Sequence, residues 1–513
     1  MSGCGRMLAP AGARIAGAGA CVAVALLVAA CGGTEGPPSS SALARGIDAV
    51  FADLDRSGSP GASVSVIRDG EIIHSRGYGY AQIEHGVPVT PHTVFHVASV
   101  SKQFTAMAVT MLAAEGALSL DDPVQAHLDV VPEFEHPVTV RRMIHHTSGI
   151  RDQWQLLGIS GWRLDDVITT EQILRLMSRQ RELNFVPGSE YLYSNMGYTL
   201  LAQTAEAVGG MSFAEFTASR IFRPLGMERT HFHDDHQHVV PDRAYSYAPA
   251  PSDEESGEEE SDAAAGPEFT KSVLSYANAG ATSLFTTADD LVRWLDNFRH
   301  ERVGGARVME MMKTRGILNG GDTIPYAHGL GLGEHRGLQT IGHGGADAGF
   351  RSQVNWYPEA NVGVVVLTNV ANGNPGGRAR QVAEVVLAGA FPEEAPEEEE
   401  DQPASPADST SFPTPDPATL GGYAGSYYSP ELDALYHLEA TEGGLVARHI
   451  RHGDITLEPS ARDEFVTDRW FMREVRFERA PDGAVAEMRV GGGRVRNLLF
   501  VKLPGPLPGP LPG

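Results

Sequence analysis

Strand-like runs stand at both ends of a long helix-rich middle, and few folds satisfy that order. Residues 61–67 (Gly-Ala-Ser-Val-Ser-Val-Ile) alternate in polarity and end at Asp69-Gly70, a hairpin signal. Residues 71–80 return as a second strand. Much later, 351–357 and 363–368 again read as strands, separated by the turn Pro358-Glu359-Ala360-Asn361. Between these ends, apolar spacing of three and four predicts helices over 105–114, 138–144, 170–179, 196–207, 213–221 and 287–298. One more at 42–54 precedes them and one at 378–387 closes them. One sheet must then collect strands from both ends, with the helical middle packed on it. This is an α+β domain spanning 42–391.

Charge marks the joints. The chain of 513 residues carries a formal charge of -25. Two tracts, 253–262 and 393–401, hold seven acids each, 14 of that excess. Such runs are solvated segments. The first lies in an acidic insertion at 249–267, the second in a Pro/Glu linker at 392–417. Beyond the linker, short runs at 436–438, 445–448, 464–467, 474–479, 486–490 and 497–502 stand between Gly and Asp turns. They predict a small all-β domain over 418–502, followed by a Leu-Pro-Gly-Pro tail at 503–513. Nothing is basic enough for nucleic acid.

Arg6 and Arg14 precede an apolar stretch at 15–30 that ends in Val28-Ala29-Ala30-Cys31-Gly32, the pattern of a signal peptide over 1–31. Small residues directly before Cys31 resemble a bacterial lipobox. That resemblance implies lipidation of Cys31, an exported protein of the cell envelope held to a membrane by its N-terminal lipid, and a tether over 32–41. Cys4, Cys21 and Cys31 are the only cysteines, so the body after them must rely on its core rather than on disulfides. No later stretch is apolar enough for a second span.

The chemistry begins at Val97-Ala98-Ser99-Val100-Ser101-Lys102. Residues three apart share a helix face, which places Ser99 beside Lys102. A partly desolvated lysine can take the serine proton, and N–H groups at a helix start can hold an oxyanion. Only four lysines occur among 40 basic residues. A lysine here is therefore specific, because arginine does not deprotonate. Tyr193-Ser194-Asn195 lies on a loop before a helix. A tyrosine with its acidity raised by nearby cations is a base, and an asparagine amide orients lysine and substrate. His343-Gly344-Gly345 precedes a strand-like run, its glycines permitting close approach of a substrate.

In this order and spacing, Ser-x-x-Lys, Tyr-x-Asn and His-Gly-Gly resemble the three motifs of the serine β-lactamase and penicillin-binding protein superfamily. The class C β-lactamase-like branch, with its D,D-carboxypeptidases, D-aminopeptidases and carboxylesterases, is the nearest match. Phe185-Val186-Pro187-Gly188, Pro224-Leu225-Gly226-Met227 and Ser283-Leu284-Phe285-Thr286-Thr287 extend the resemblance over 47–387. It implies a β-lactamase/transpeptidase-like fold and an acyl-enzyme mechanism. Ser99 would attack, Lys102 and Tyr193 would share the proton work, and Asn195 would position Lys102 and substrate. The N–H groups of Ser99 and Ala346 would hold the oxyanion, with no cofactor and no metal. One departure is His343, where most β-lactamases have lysine. Histidine is often neutral near pH 7 and grips a substrate carboxylate less well.

Other features carry less. The tract His231-Phe232-His233-Asp234-Asp235-His236-Gln237-His238 has the composition of a metal tract but reads as a polar loop. His145-His146 shape a turn near the site, and Trp154, Trp162 and Trp294 belong to core or pocket wall. The expectation is an exported serine hydrolase acting on an ester or on a D-amino-acid or other amide, with a small molecule or peptide as substrate. A β-lactamase proper and a non-catalytic penicillin-binding or sensor protein are the alternatives. Substrate identity and oligomeric state are not legible.

Overall fold

The computed structural model describes residues 40–251, 268–392, 412–413 and 415–505. The signal peptide with Cys31, the acidic tract of the insertion, most of the linker and most of the tail lie outside them.

The body is organised on a six-stranded antiparallel sheet. Its strands are β1 (Ala62–Arg68), β2 (Glu71–Tyr78), β3 (Gly331–His335), β4 (Leu338–Asp347), β5 (Phe350–Tyr357) and β6 (Val362–Thr368). Their order across the sheet is β3-β4-β5-β6-β1-β2. The first two strands thus close onto the later ones, as the order of runs along the chain requires, but β3 and β4 add two strands that the runs at 351–357 and 363–368 did not announce. Val64 stands opposite Val366 at this seam.

β6 is buried on both faces. Val362, Val364 and Val366 join a core with Leu43 and Ile47 of the first helix and Val382, Ala383 and Val386 of the closing one. Val365 and Leu367 point the other way, into the main core with Leu291, Trp294 and Leu295. Each such side chain contributes about 1.5–3 kcal/mol by leaving water. The first helix is Ser40–Val50, shorter than the expected 42–54, because the chain turns from Phe51 onward. The closing helix starts early, at Pro375, since the Asn374 side chain accepts from the Gly377 N–H and proline is preset for a first turn.

Helix Ser101–Ala114 runs through the middle of the helical region and is buried almost all round, so the run at 105–114 shows no polar stripe. Asn195–Gly209 lies against it. Two short helices, Gln153–Ile159 and Gly305–Met312, were not expected; the first has a clear local cause. It is fixed by its cap rather than by periodicity, since the Asp152 carboxylate accepts from the Trp154 N–H at 3.0 Å. Among the described residues no helix is long and apolar enough to cross a membrane.

The C-terminal region is a closed eight-stranded barrel. A helix, Pro417–Tyr423, capped by Asp416, leads into it, inside the region 418–502 expected to be all β. Two barrel strands, Gly425–Ser429 and Ile455–Ala461, were not anticipated. The second carries Pro459 and a register shift, which break the strand signal. The barrel is seated firmly on the body. Arg151 and Glu431, both buried, pair at 2.7 Å. Tyr436 donates to the Ile159 carbonyl at 2.8 Å. Gly158 must lack a side chain, because a Cβ there would lie 2.8 Å from Phe471.

Candidate active site

Ser99 is not on the long helix itself but on the turn that launches it. The chain leaves the short strand Phe95–His96 and enters a single 3-10 turn, Ala98–Val100. Helix Ser101–Ala114 follows at once. Ala98 adopts φ +48°, a left-handed conformation that costs a non-glycine residue on the order of 1 kcal/mol. The Ser101 hydroxyl braces the turn by donating to the Ala98 carbonyl at 2.6 Å. Ser99 is thereby presented to the cleft while Lys102, one turn on, is fully buried.

Lys102 Nζ lies 3.1 Å from Ser99 Oγ, 2.8 Å from Asn195 Oδ1 and 2.7 Å from the Ala281 carbonyl. The last two partners can only accept. A neutral amine has two hydrogens, and these carbonyls claim both, so its lone pair must face the serine hydroxyl. Burial favours that neutral form. It brings the Lys102 pKa down to about 7, with Arg494 adding to the effect and Asp152 and Asp347 opposing it.

Asn195 is turned the right way by Asp152, whose Oδ2 accepts from Asn195 Nδ2 at 2.7 Å and from its backbone N–H at 2.8 Å. With the amide nitrogen so committed, the amide oxygen is left for Lys102. Sequence reasoning overlooked Asp152. A carboxylate after a glycine turn has no motif of its own, and its importance comes from the chain it meets across the fold.

Tyr193 lies on the loop before Asn195–Gly209. His146, at φ +57°, accepts from the Ser194 N–H at 3.1 Å, and its ring centroid is 4.0 Å from that of Tyr193. The His145-His146 turn therefore shapes the site, as expected. The Tyr193 hydroxyl is buried and has no hydrogen-bond partner among the described residues. Burial raises its pKa despite the nearby Ser99 hydroxyl and Arg494, which work the other way. Burial thus works against the phenolate considered from the sequence.

The third motif precedes β5, as expected, and itself lies within β4. Gly345 passes directly over the nucleophile turn, and a Cβ there would stand 2.3 Å from the Val97 carbonyl oxygen. Ser352, its partner across the strands, ties the two together by donating to the same carbonyl at 2.8 Å. Gly344 and Ala346 flank it along the cleft wall. His343 is half-buried, with Nδ1 2.5 Å from the Gly344 carbonyl and Nε2 3.0 Å from the Tyr326 hydroxyl. The carbonyl can only accept, which puts the proton on Nδ1 and leaves Nε2 to accept from Tyr326. Burial and the neighbouring Lys102 hold its pKa down at about 4. It is a neutral residue of the wall.

These groups surround a cleft of about 880 Å³. Its far wall comes from the barrel, through Trp470, Arg473, Gly493 and Arg494. The Arg494 guanidinium lies 4.8 Å from the Tyr193 ring centroid. No sequence signal assigned it to the site. The triplet Gly491-Gly492-Gly493 does mark a close approach, but not what is approached. The other candidates fall elsewhere. Trp154 lines the cleft, Trp294 is core, and Trp162 stacks under Arg451 of the barrel. His231 and His233 pack on Phe285, and among the described residues no cluster is arranged to hold a metal ion.

Comparison with known proteins agrees with this geometry. A D-aminopeptidase of Gluconobacter oxydans is 28% identical over 396 residues, 76% of this chain and 67% of that protein. A D-aminopeptidase of Brucella canis is 28% identical over 410 residues, 79% of this chain and 70% of that one. Among solved structures, the octameric penicillin-binding protein homologue from Pyrococcus abyssi superposes with a TM-score of 0.57 at 24% identity, over 91% of this chain and all of its own. SurE does so at 0.53 and 25%, over 90% of this chain and all of its own. The family model described as Beta-lactamase matches residues 47–388, from the first helix to the end of the closing one, and the chain belongs to that family as a β-lactamase-like serine hydrolase.

Proposed function

We propose that this protein hydrolyses amides of D-amino-acid derivatives through a Ser99 acyl-enzyme, on the outer side of a bacterial membrane to which a lipid on Cys31 holds it. The observation that carries the reading is the setting of Lys102, a buried amine whose two hydrogens are claimed by carbonyls and whose lone pair faces Ser99. The substrate chemistry draws on the D-aminopeptidases to which the chain is similar.

Neutral Lys102 takes the Ser99 proton as Oγ bonds to the amide carbon. The carbonyl electron pair moves onto oxygen, where the N–H groups of Ser99 and Ala346 hold it. Collapse of this intermediate breaks the C–N bond. The leaving nitrogen takes a proton from the Lys102 ammonium, directly or across the Tyr193 phenol. Water then attacks the ester and gives a proton to Lys102; the bond from the acyl carbon to Ser99 Oγ breaks, Oγ takes that proton back, and the free acid departs. Neutral His343 does not supply the cation a β-lactam carboxylate needs at this motif, which ranks β-lactamase activity below amidase activity.

Intact-mass spectrometry tests the reading. Fluorophosphonate should label the protein once, and Ser99→Ala should abolish the label. An N-acyl-D-alanine amide should be turned over with release of ammonia, and an N-acyl-D-alanyl peptide with release of its last residue, by the wild type only. Absence of labelling, or labelling unaffected by Ser99→Ala, would overturn it. An acyl adduct that forms and never decays would favour the binding or sensor protein.

A further inference from the structure

We infer that Arg494, carried into the cleft by the hairpin joining the last two barrel strands, binds a carboxylate of the substrate. This selects anionic substrates over those bearing a free amine, and it rests on the acyl-enzyme reading above.

The inference follows from which charges in the cleft are already committed. Asp152 accepts three N–H groups, those of Trp154 and Asn195 and the Asn195 amide. Asp347 accepts from Thr282 at 2.9 Å and lies beside Arg351, and burial shifts it toward its neutral form. An ammonium group entering the cleft would find neither acid free. The cations differ. Arg351 donates to the Ala348 and Phe350 carbonyls, but among the described residues the guanidiniums of Arg494 and Arg473 have no hydrogen-bond or ionic partner. Their neighbours on the barrel do, Arg496 with Glu190 at 2.9 Å and Arg489 with Glu487 at 3.1 Å.

The Arg494 backbone is held while its side chain is left free. Its N–H donates to Gln155 Oε1 at 2.6 Å, and its carbonyl accepts from Asn184 Nδ2 at 2.9 Å and from the Asp152 N–H at 3.2 Å. An arginine fixed at its root, lying over the Tyr193 ring and lining the cleft, brings a planar set of N–H donors suited to a bidentate carboxylate contact. His343, neutral and bonded to Tyr326, does not compete for that anion.

Protection of Ser99 from fluorophosphonate tests this without needing turnover. Three compounds are compared, N-acetyl-D-alanine, its uncharged amide, and D-alanine amide with its free amine. The carboxylate should slow labelling at a concentration at least about tenfold below either of the others. Arg494→Gln should remove that preference, and Arg494→Glu should reverse it toward the amine. Because the backbone makes the hairpin's hydrogen bonds, unchanged thermal denaturation of both variants is the expected control. Arg473→Gln, on the same wall, should give a smaller loss of preference. Equal protection by all three compounds (none included), stronger protection by the amine, or a preference untouched in Arg494→Gln would overturn the inference. Failure of Ser99 to label at all would instead overturn the acyl-enzyme reading.

Discussion

Lys102 and Arg494 are two cationic side chains at one cleft, held in opposite ways. Lys102 is buried, every hydrogen is claimed, and its charge is unstable enough to be lost near neutrality. Arg494 is exposed, its backbone is pinned, and its guanidinium is uncommitted. On the two proposals above, the body wall of the cleft serves reaction and the barrel wall serves selection. A base must be desolvated and oriented to be useful, whereas a recognition group must keep its donors free until a ligand arrives.

The largest expected effect lies on the body wall. Ser99→Ala should lower amide turnover by at least about 10⁴-fold with the melting temperature unchanged; a residual rate near wild type would remove Ser99 from the chemistry. Lys102→Arg follows. It keeps the charge and loses the basicity, for a loss of roughly 10³-fold in kcat. If arginine sustained the rate, Lys102 would be a positioning group like those on the barrel wall, and the contrast would fail.

The next effect lies at the joint between the regions. Glu431→Ala removes the close partner of the buried Arg151, which keeps Glu182 at 3.5 Å and the Arg496 carbonyl, and should cost roughly 1.5–3 kcal/mol in urea denaturation. Selectivity between carboxylate and amine should fall before fluorophosphonate labelling does, since labelling needs only the body wall. Loss of both together would mean that the barrel also holds the base in place, through the Arg494 carbonyl, Asp152 and Asn195.

The smallest effect is in pH. In the proposed mechanism Lys102 acts as its neutral form, and that fraction rises as pH passes upward through about 7. Acylation rate should thus climb about tenfold per unit below pH 7 and level off above it. A limb that stayed near pH 10 would mean that Lys102 is not desolvated in solution.

Much of the body was legible because its signals are local and periodic. The alternation at 61–67, the doubly buried valines at 363–368 and the fixed interval of Ser99 and Lys102 each report geometry within a few residues. The Tyr193-Ser194-Asn195 loop was legible as a motif, but the protonation state of Tyr193 was not. That depends on burial by His146 and Tyr326, from distant stretches of chain. Asp152 and Arg494 escaped for the same reason. Each is an ordinary residue at a turn, made important by a partner 43 positions away in one case and in the other by a hairpin meeting a helix start 339 positions earlier. The eighth-strand closure of the barrel was likewise invisible, since closure is a relation between strands and not a property of any one.

The seam between β1 and β6 has a consequence in time. Val64 waits for Val366, about 300 positions later in the chain. At a synthesis rate of roughly 5–20 residues per second, the hydrophobic first strand stays without its central neighbour for tens of seconds. A chain in that interval holds Ser99 and Lys102 but neither the sheet that supports them nor the hairpin that limits what reaches them. Activity therefore cannot precede synthesis of the strand that ends at Thr368, however early Ser99 and Lys102 have been made.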